Sequence, residues 1–239
     1  MANKRRLKIG VICSAGGAPF FTAADLAVRT SFLDYADLTL ITDRLCGAEA
    51  EADSRSVYRQ RLEEKDRVQF STKACTILQE RGVDLVLLYF ARLISAELFS
   101  VIPSLNVHPS LLPAFAGINA LKQAVQYPVP IIGSTLHAVS AGVDDGSIVA
   151  QVATPALGTF TADELGPLSF LHKVYLTLCA IDLVANDLLV IKPASETVVL
   201  SEGLRVTASA APALQTPSLV SAFSDFQKTR SALEGYLVP

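Results

Sequence analysis

Leu105-Asn106-Val107-His108-Pro109-Ser110-Leu111-Leu112-Pro113 reads as a short apolar strand that stops at its first proline. Side chains alternate along a strand, so Asn106 and His108 point to the same face. Pro109 has no N–H to give to a sheet, which leaves the pair at the strand's carboxyl end. Open α/β sheets hold their ligands at that edge. Further on, Gly142-Val143-Asp144-Asp145-Gly146 adds carboxylates within a turn-forming sequence. An amide, an imidazole and a carboxylate can together carry a proton and stabilise an oxyanion in acyl transfer. The stretch therefore predicts an enzyme on an α/β scaffold.

Working outward, residues 7–13, 37–42, 83–89 and 104–107 read as buried strands, with helices near 20–32, 49–64 and 72–81. Near-continuous Val/Ile/Leu runs separated by helices predict a doubly wound, mostly parallel sheet of Rossmann type, covered by helices on both faces. A short helix near 117–126 leads to strands at Ile131–Val139 and Ser147–Thr154. A long helical pattern then runs from Ala162 to about Leu189, followed by a hairpin at 189–192 and 197–206. Residues 1–207 are expected to form the catalytic domain, and 208–239 a linker and a C-terminal amphipathic helix. That helix carries Leu219, Phe223, Phe226 and Leu233 on one stripe, with Ser218 as its N-cap. Its expected role is packing back on the domain; a homodimer contact is the alternative.

At 51% hydrophobic and 18% charged, the chain of 239 residues is globular with ample core material. A net charge of -3, with no basic cluster beyond Lys4-Arg5-Arg6, argues against nucleic acid as a partner. No uncharged apolar run is long enough to span a membrane, and no signal-peptide core follows the basic start. Cys13, Cys46, Cys75 and Cys179 are scattered without metal-ligand spacing, so no metal is expected, and the thiols point to a reducing cytoplasm.

The first loop, Cys13-Ser14-Ala15-Gly16-Gly17-Ala18-Pro19, is open to two readings: a tight strand-to-helix turn, or an anion site at a helix start. Neither nucleotide fingerprint is met. His137, in Gly133-Ser134-Thr135-Leu136-His137, lies on a strand expected beside His108, whereas His172 inside the long helix reads as structural. Arg92, just past the strand 83–89, is placed to meet a planar or anionic ligand.

Leu105 to Val125, Gly133 to Val139 and Gly142 to Gln151, in that order, resemble the folate-dependent formyltransferase family, nearest to its glycinamide ribonucleotide branch, over roughly residues 7–192. The resemblance implies a doubly wound fold, 10-formyltetrahydrofolate as co-substrate, and a small-molecule amine as acceptor. It implies Asn106, His108 and Asp144 as catalytic residues. Folate would lie along Arg92, Leu93, Ile94, Val139, Ser140, Ala141 and Asp144. The acceptor would meet Gly16, Gly17, Val107 and His137, and Thr135 would be buried beside the centre.

Three positions, in two places, depart from the family pattern. Ala18 and Pro19 stand where the glycinamide ribonucleotide branch has phosphate-holding side chains, and Leu178 stands where it has a ribose-holding glutamate. The expected function is thus formyl transfer with altered phosphate and ribose contacts. The alternatives are a divergent formyltransferase for another amine, such as an amino sugar, a formyltetrahydrofolate deformylase, and a folate binder without turnover.

Overall fold

The computed structural model describes residues 6–127, 129–156, 161–193 and 197–230. Ten strands are present, β1 Ile9–Cys13, β2 Leu38–Thr42, β3 Tyr58–Arg61, β4 Leu85–Tyr89, β5 Ser104–His108, β6 Ile131–Ala138, β7 Ile148–Pro155, β8 Leu189–Lys192, β9 Thr197–Leu200 and β10 Ala210–Ala211. The helices are α1 Ala18–Arg29, α2 Gly47–Ser54, α3 Arg67–Glu80, α4 Ala96–Phe99, α5 Ala120–Gln126, α6 Ala162–Ala185 and α7 Pro217–Lys228. Eight strands form one sheet in the order β10-β7-β6-β5-β4-β1-β2-β3, and β8 and β9 form a separate hairpin. The pairs from β3 to β5 are parallel, while β5–β6, β6–β7 and β7–β10 are antiparallel.

The parallel strands are apolar because both their faces are covered. Every residue of β1 and β2 is buried. One face packs against α1, α6 and α7, and the other against α3 and α4. The chain order reverses between β1 and β4, so the crevice lies at the carboxyl ends of β1, β4 and β5.

α6 is long and apolar enough to match a membrane span, but 78% of that window is buried inside the domain. Its start is set by Thr161 and Glu164 in a capping box. His172 is buried on it and bonded to Thr154 Oγ1 at 2.9 Å. This is the structural role the sequence predicts.

The helix expected over 49–64 is instead α2 followed by the edge strand β3. Tyr58-Arg59-Gln60-Arg61 shows no apolar alternation, so hydrophobic periodicity misses it. Charge holds it in place. Buried Glu49 on α2 accepts from Arg61 Nε and Nη2 at 2.8 and 2.7 Å, from Arg59 Nη1 at 3.0 Å, and from Thr42 Oγ1 at 2.8 Å. The Arg61 bonds pull the Glu49 carboxyl down to about 2. Charged edge strands also resist pairing with other chains.

The expected hairpin strand 197–206 ends at Leu200, before a turn with Gly203 at φ 71°. The stretch read as a linker lies along the sheet edge: Ala210 and Ala211 pair with Val152 and Gln151 of β7. Asp182 of α6, fully buried, then accepts from the N–H groups of Gln215 and Thr216 and from Thr216 Oγ1. These contacts anchor the start of α7, whose N-cap is Thr216 with Pro217 next, two residues ahead of the expected Ser218. Leu219 and Phe223 of α7 are buried, and the Phe223 ring meets Tyr175 edge-on at 5.1 Å. Burying such a phenylalanine stabilises the fold by about 1.5–3 kcal/mol. Leu233, Lys4 and Arg5 lie outside the described residues.

Candidate active site

Asn106 and His108 stand on one face of the last turn of β5, as their spacing requires. The antiparallel register of β5 and β6 places His137 directly opposite Asn106 and Thr135 opposite His108. Thr135 braces the turn after β5: its hydroxyl donates to Ser110 O at 2.7 Å and accepts from Leu112 N at 3.0 Å. Gln151 Nε2 donates to Leu112 O at 3.0 Å. The proline-rich turn is thus tied to β6 and β7, which holds the strand end rigid.

Asp144 reaches this point from the β6–β7 loop with φ 52°, a left-handed conformation that aspartate tolerates better than most residues. Two glycines make the loop. A methyl group on Gly142 would sit 1.9 Å from an Asp145 carboxylate oxygen, and one on Gly146 would sit 1.8 Å from Ala138 O. Ser140 Oγ donates to the Asp145 carboxylate and closes the loop.

The carboxylate of Asp144 is where the groups meet. Its Oδ2 lies 3.1 Å from His108 Nδ1 and accepts from Gly117 N at 2.8 Å. Its Oδ1 lies 3.4 Å from Asn106 Nδ2 and 3.5 Å from His137 Nε2. Burial opposes its ionisation, but the His137 and Gly117 hydrogen bonds and the two imidazoles prevail and hold the carboxyl below its ordinary range. His137 Nδ1 faces Ala138 O at 2.9 Å and so carries the proton there. Its Nε2 lies between Asp144 Oδ1 at 3.5 Å and Asn106 Nδ2 at 3.1 Å. His108 has oxygen acceptors at both nitrogens, since its Nε2 lies 2.9 Å from Phe115 O. A doubly protonated ring satisfies both; a neutral ring leaves one oxygen facing a bare nitrogen.

These groups form the floor of a cavity of about 720 Å³. Every site residue expected from the sequence lines it: Gly16 and Gly17 at one end, Leu93, Ile94, Val139, Ser140 and Ala141 at the other, and Arg92 and Val107 among them. Arg92 contributes its stem. Its guanidinium turns away, donating to Glu64 O at 2.8 Å and Lys65 O at 2.6 Å, with Asp43 3.7 Å off. It therefore clamps the segment before α3 to the loop after β4.

At the other end, Gly17 caps α1 at φ 65°, no side chain caps the helix, and Pro19 removes one N–H. Leu178 is fully buried and does not reach the cavity. The sequence reading missed Cys13, Tyr89, Gly117, Ile118 and Lys173, which also line the cavity. Of these only Lys173 left a signal, as a charge inside an apolar helix. Tyr89 and Cys13 look like any strand residue until the strand ends are set side by side. Burial pushes the Cys13 thiol up to about 11, so it stays neutral.

The model of the formyl transferase family matches residues 9–169. The chain belongs to the formyl transferase family. A crystal structure of glycinamide ribonucleotide transformylase 1 from Symbiobacterium toebii superposes with a TM-score of 0.73 at 31% identity, covering 82% of this chain and 95% of that one. Phosphoribosylglycinamide formyltransferase from Anaplasma phagocytophilum gives 0.72 at 27% identity, over 83% and 96%. The chloroplastic phosphoribosylglycinamide formyltransferase of Arabidopsis thaliana is 31% identical over 185 residues, 72% of this chain and 63% of that protein. The human trifunctional purine biosynthetic protein adenosine-3 is 28% identical over 159 residues. The match spans 16% of that protein's length. The doubly wound formyl transferase fold expected from the sequence is the fold observed.

Proposed function

We propose that the chain is a 10-formyltetrahydrofolate-dependent formyltransferase that moves the formyl group onto an amine, with Asn106, His108 and Asp144 as its catalytic residues. The observation that carries this reading is the meeting of Asn106, His108 and His137 on the Asp144 carboxylate at the cavity floor. The name and coverage of the Symbiobacterium and Anaplasma relatives support it.

When an amine attacks a formyl carbon, negative charge grows on the formyl oxygen. Asn106 Nδ2 and an N–H of His108 are the donors available to meet it, and a donor aimed at developing charge is worth about 3–4 kcal/mol of barrier. The Asp144 carboxylate takes the proton that the attacking amine sheds, directly or through water, and passes it to the folate nitrogen as the bond from that nitrogen to the formyl carbon breaks. In the resting arrangement both His108 nitrogens serve protein oxygens, so the imidazole loosens its hold on Phe115 O as the substrate oxygen arrives. Phe115 sits at φ 54°, an unfavourable conformation for a bulky residue, which makes this contact the easier one to release.

The donor would enter at the apolar end, where Leu93, Ile118 and Val143 are exposed at the rim and suit a flat aromatic ligand. The acceptor would lie between Gly16, Gly17, Val107 and His137. With Ala18, Pro19 and Leu178 supplying no polar side chain there, we expect glycinamide ribonucleotide to be a poor acceptor. Four free thiols support a reducing compartment, the cytoplasm in this reading.

The test is folate release from a 10-formyltetrahydrofolate donor across a panel of amines. Turnover on at least one amine is expected. Folate binding with no turnover on any amine, or turnover on water alone, overturns the transferase reading. A kcat/KM for glycinamide ribonucleotide of about 10⁴ M⁻¹s⁻¹ or more overturns the acceptor reading.

A further inference from the structure

We propose that Lys173 selects the acceptor by receiving an anionic group, a carboxylate or a phosphate, carried on a compact amine. The proposal rests on the formyl-transfer reading above and deepens it.

Lys173 of α6 lines the cavity together with Cys13, Gly16 and Gly17. Its neighbours Val174, Tyr175 and Leu176 are buried in the core. Among the described residues no carboxylate pairs with its ammonium. Burial depresses its basicity, with no opposing charge to offset the effect. An ammonium out of water without a counter-ion is costly, and an anion brought by a ligand removes that cost.

The other charged groups lining the cavity are already engaged. Asp144 serves His108, His137 and Gly117, and the Arg92 guanidinium is held by Glu64 O, Lys65 O and Asp43. Lys173 is the cation left for a ligand at this end.

The size of the acceptor follows from what stands beyond Lys173. One turn along α6, Thr177 Oγ1 is hydrogen-bonded to Tyr89 Oη, which bridges α6 to the end of β4. The Tyr89 ring packs edge-on against Phe20 of α1, with centroids 6.2 Å apart. Leu178 and Cys179 behind them are fully buried. Tyr89 itself lines the cavity and this packing backs it on the α6 side, which favours an amine that carries its anion close by.

The test is isothermal titration of the full chain, saturated with a tetrahydrofolate analogue, with three small amines: glycine, aminomethylphosphonate and the neutral glycinamide. A charge-assisted contact predicts that at least one of the two anions binds about tenfold to a hundredfold tighter than glycinamide. Which anion wins separates a carboxylate from a phosphate acceptor. Lys173→Met should abolish the preference, and Lys173→Arg should keep most of it. Titration of the folate analogue into each variant reports an intact cleft, and Lys173→Gln replaces the methionine variant if that one fails to fold.

Equal affinity for all three amines, no measurable binding of either anion, or a preference that survives Lys173→Met overturns the proposal. An anion preference that needs Lys173, without formyl transfer to any amine, sinks the transferase reading and leaves this one. Formyl transfer to a neutral amine, unchanged in Lys173→Met, does the reverse.

Discussion

The two ends of the cavity are built on different principles. The end assigned to folate is a loop packed so tightly that a methyl group on Gly146 would collide with the backbone at Ala138 O, while one on Gly142 would push the Asp145 carboxylate aside. Its Asp144 carboxylate is held by backbone and side chains together. The end assigned to the acceptor is an open helix start with free space around Gly16, no side-chain cap, and one uncommitted lysine. A loop held this firmly presents one fixed shape to a ligand. An end with little committed chemistry is where acceptor choice can change while the transfer machinery stays fixed.

The largest effect should come from the floor that both ends share. His108→Ala and Asp144→Asn are each expected to lower kcat about a hundred- to a thousandfold while leaving the circular dichroism spectrum intact. Near-normal kcat in either variant would break the catalytic assignment at its centre.

The next contrast is in pH. Burial lowers the His172 pKa to about 4 from 6.5, on the helix that walls the acceptor end. Between those values the unfolded chain binds a proton that the folded protein refuses. Stability should therefore be fully present above pH 6.5, fall as pH drops towards 4, and level off below. The loss is on the order of 3 kcal/mol. The Asp144 carboxyl is held below its ordinary range, so its protonation does not account for the loss between pH 6.5 and 4. Urea unfolding followed by circular dichroism at pH 7 and pH 4.5 measures the slope, and His172→Gln should flatten it. An unchanged slope in that variant assigns the acid sensitivity elsewhere.

Glycine substitutions compare the two loops directly. Gly146→Ala must displace Ala138 O, at a cost of about 1–3 kcal/mol, and should weaken binding of a folate analogue. Gly16→Ala meets nothing within 4 Å and should change stability by no more than about 0.5 kcal/mol. If the two variants behave alike, the two ends do not differ in rigidity.

A modest effect is expected at Arg92. Because its guanidinium grips the carbonyls of Glu64 and Lys65, Arg92→Lys should cost about 1 kcal/mol of stability and leave kcat nearly unchanged. A collapse in turnover comparable to that of His108→Ala would mean that the guanidinium swings into the cavity to meet substrate.

Much of this molecule was legible in the chain because its signals are local. Apolar runs mark the buried strands, since both faces of a parallel sheet are covered. The two-residue step from Asn106 to His108 and the proline after it place an amide and an imidazole at a strand end whatever the rest of the chain does. Other features depended on partners distant in sequence. β3 is a strand because Glu49 gathers its arginines, and residues 210–211 are a strand because β7 leaves an edge open. Arg92 faces away from the cavity because two carbonyls nearly thirty positions earlier compete for its guanidinium. Lys173 becomes a candidate site only when α6 is laid against the ends of β1 and β4. The order of polar and apolar residues determined the elements and the placement of Asn106 and His108 at a strand end. Which charges are committed and which remain for a ligand was decided by tertiary structure, since pairing depends on distance in space and burial sets its strength.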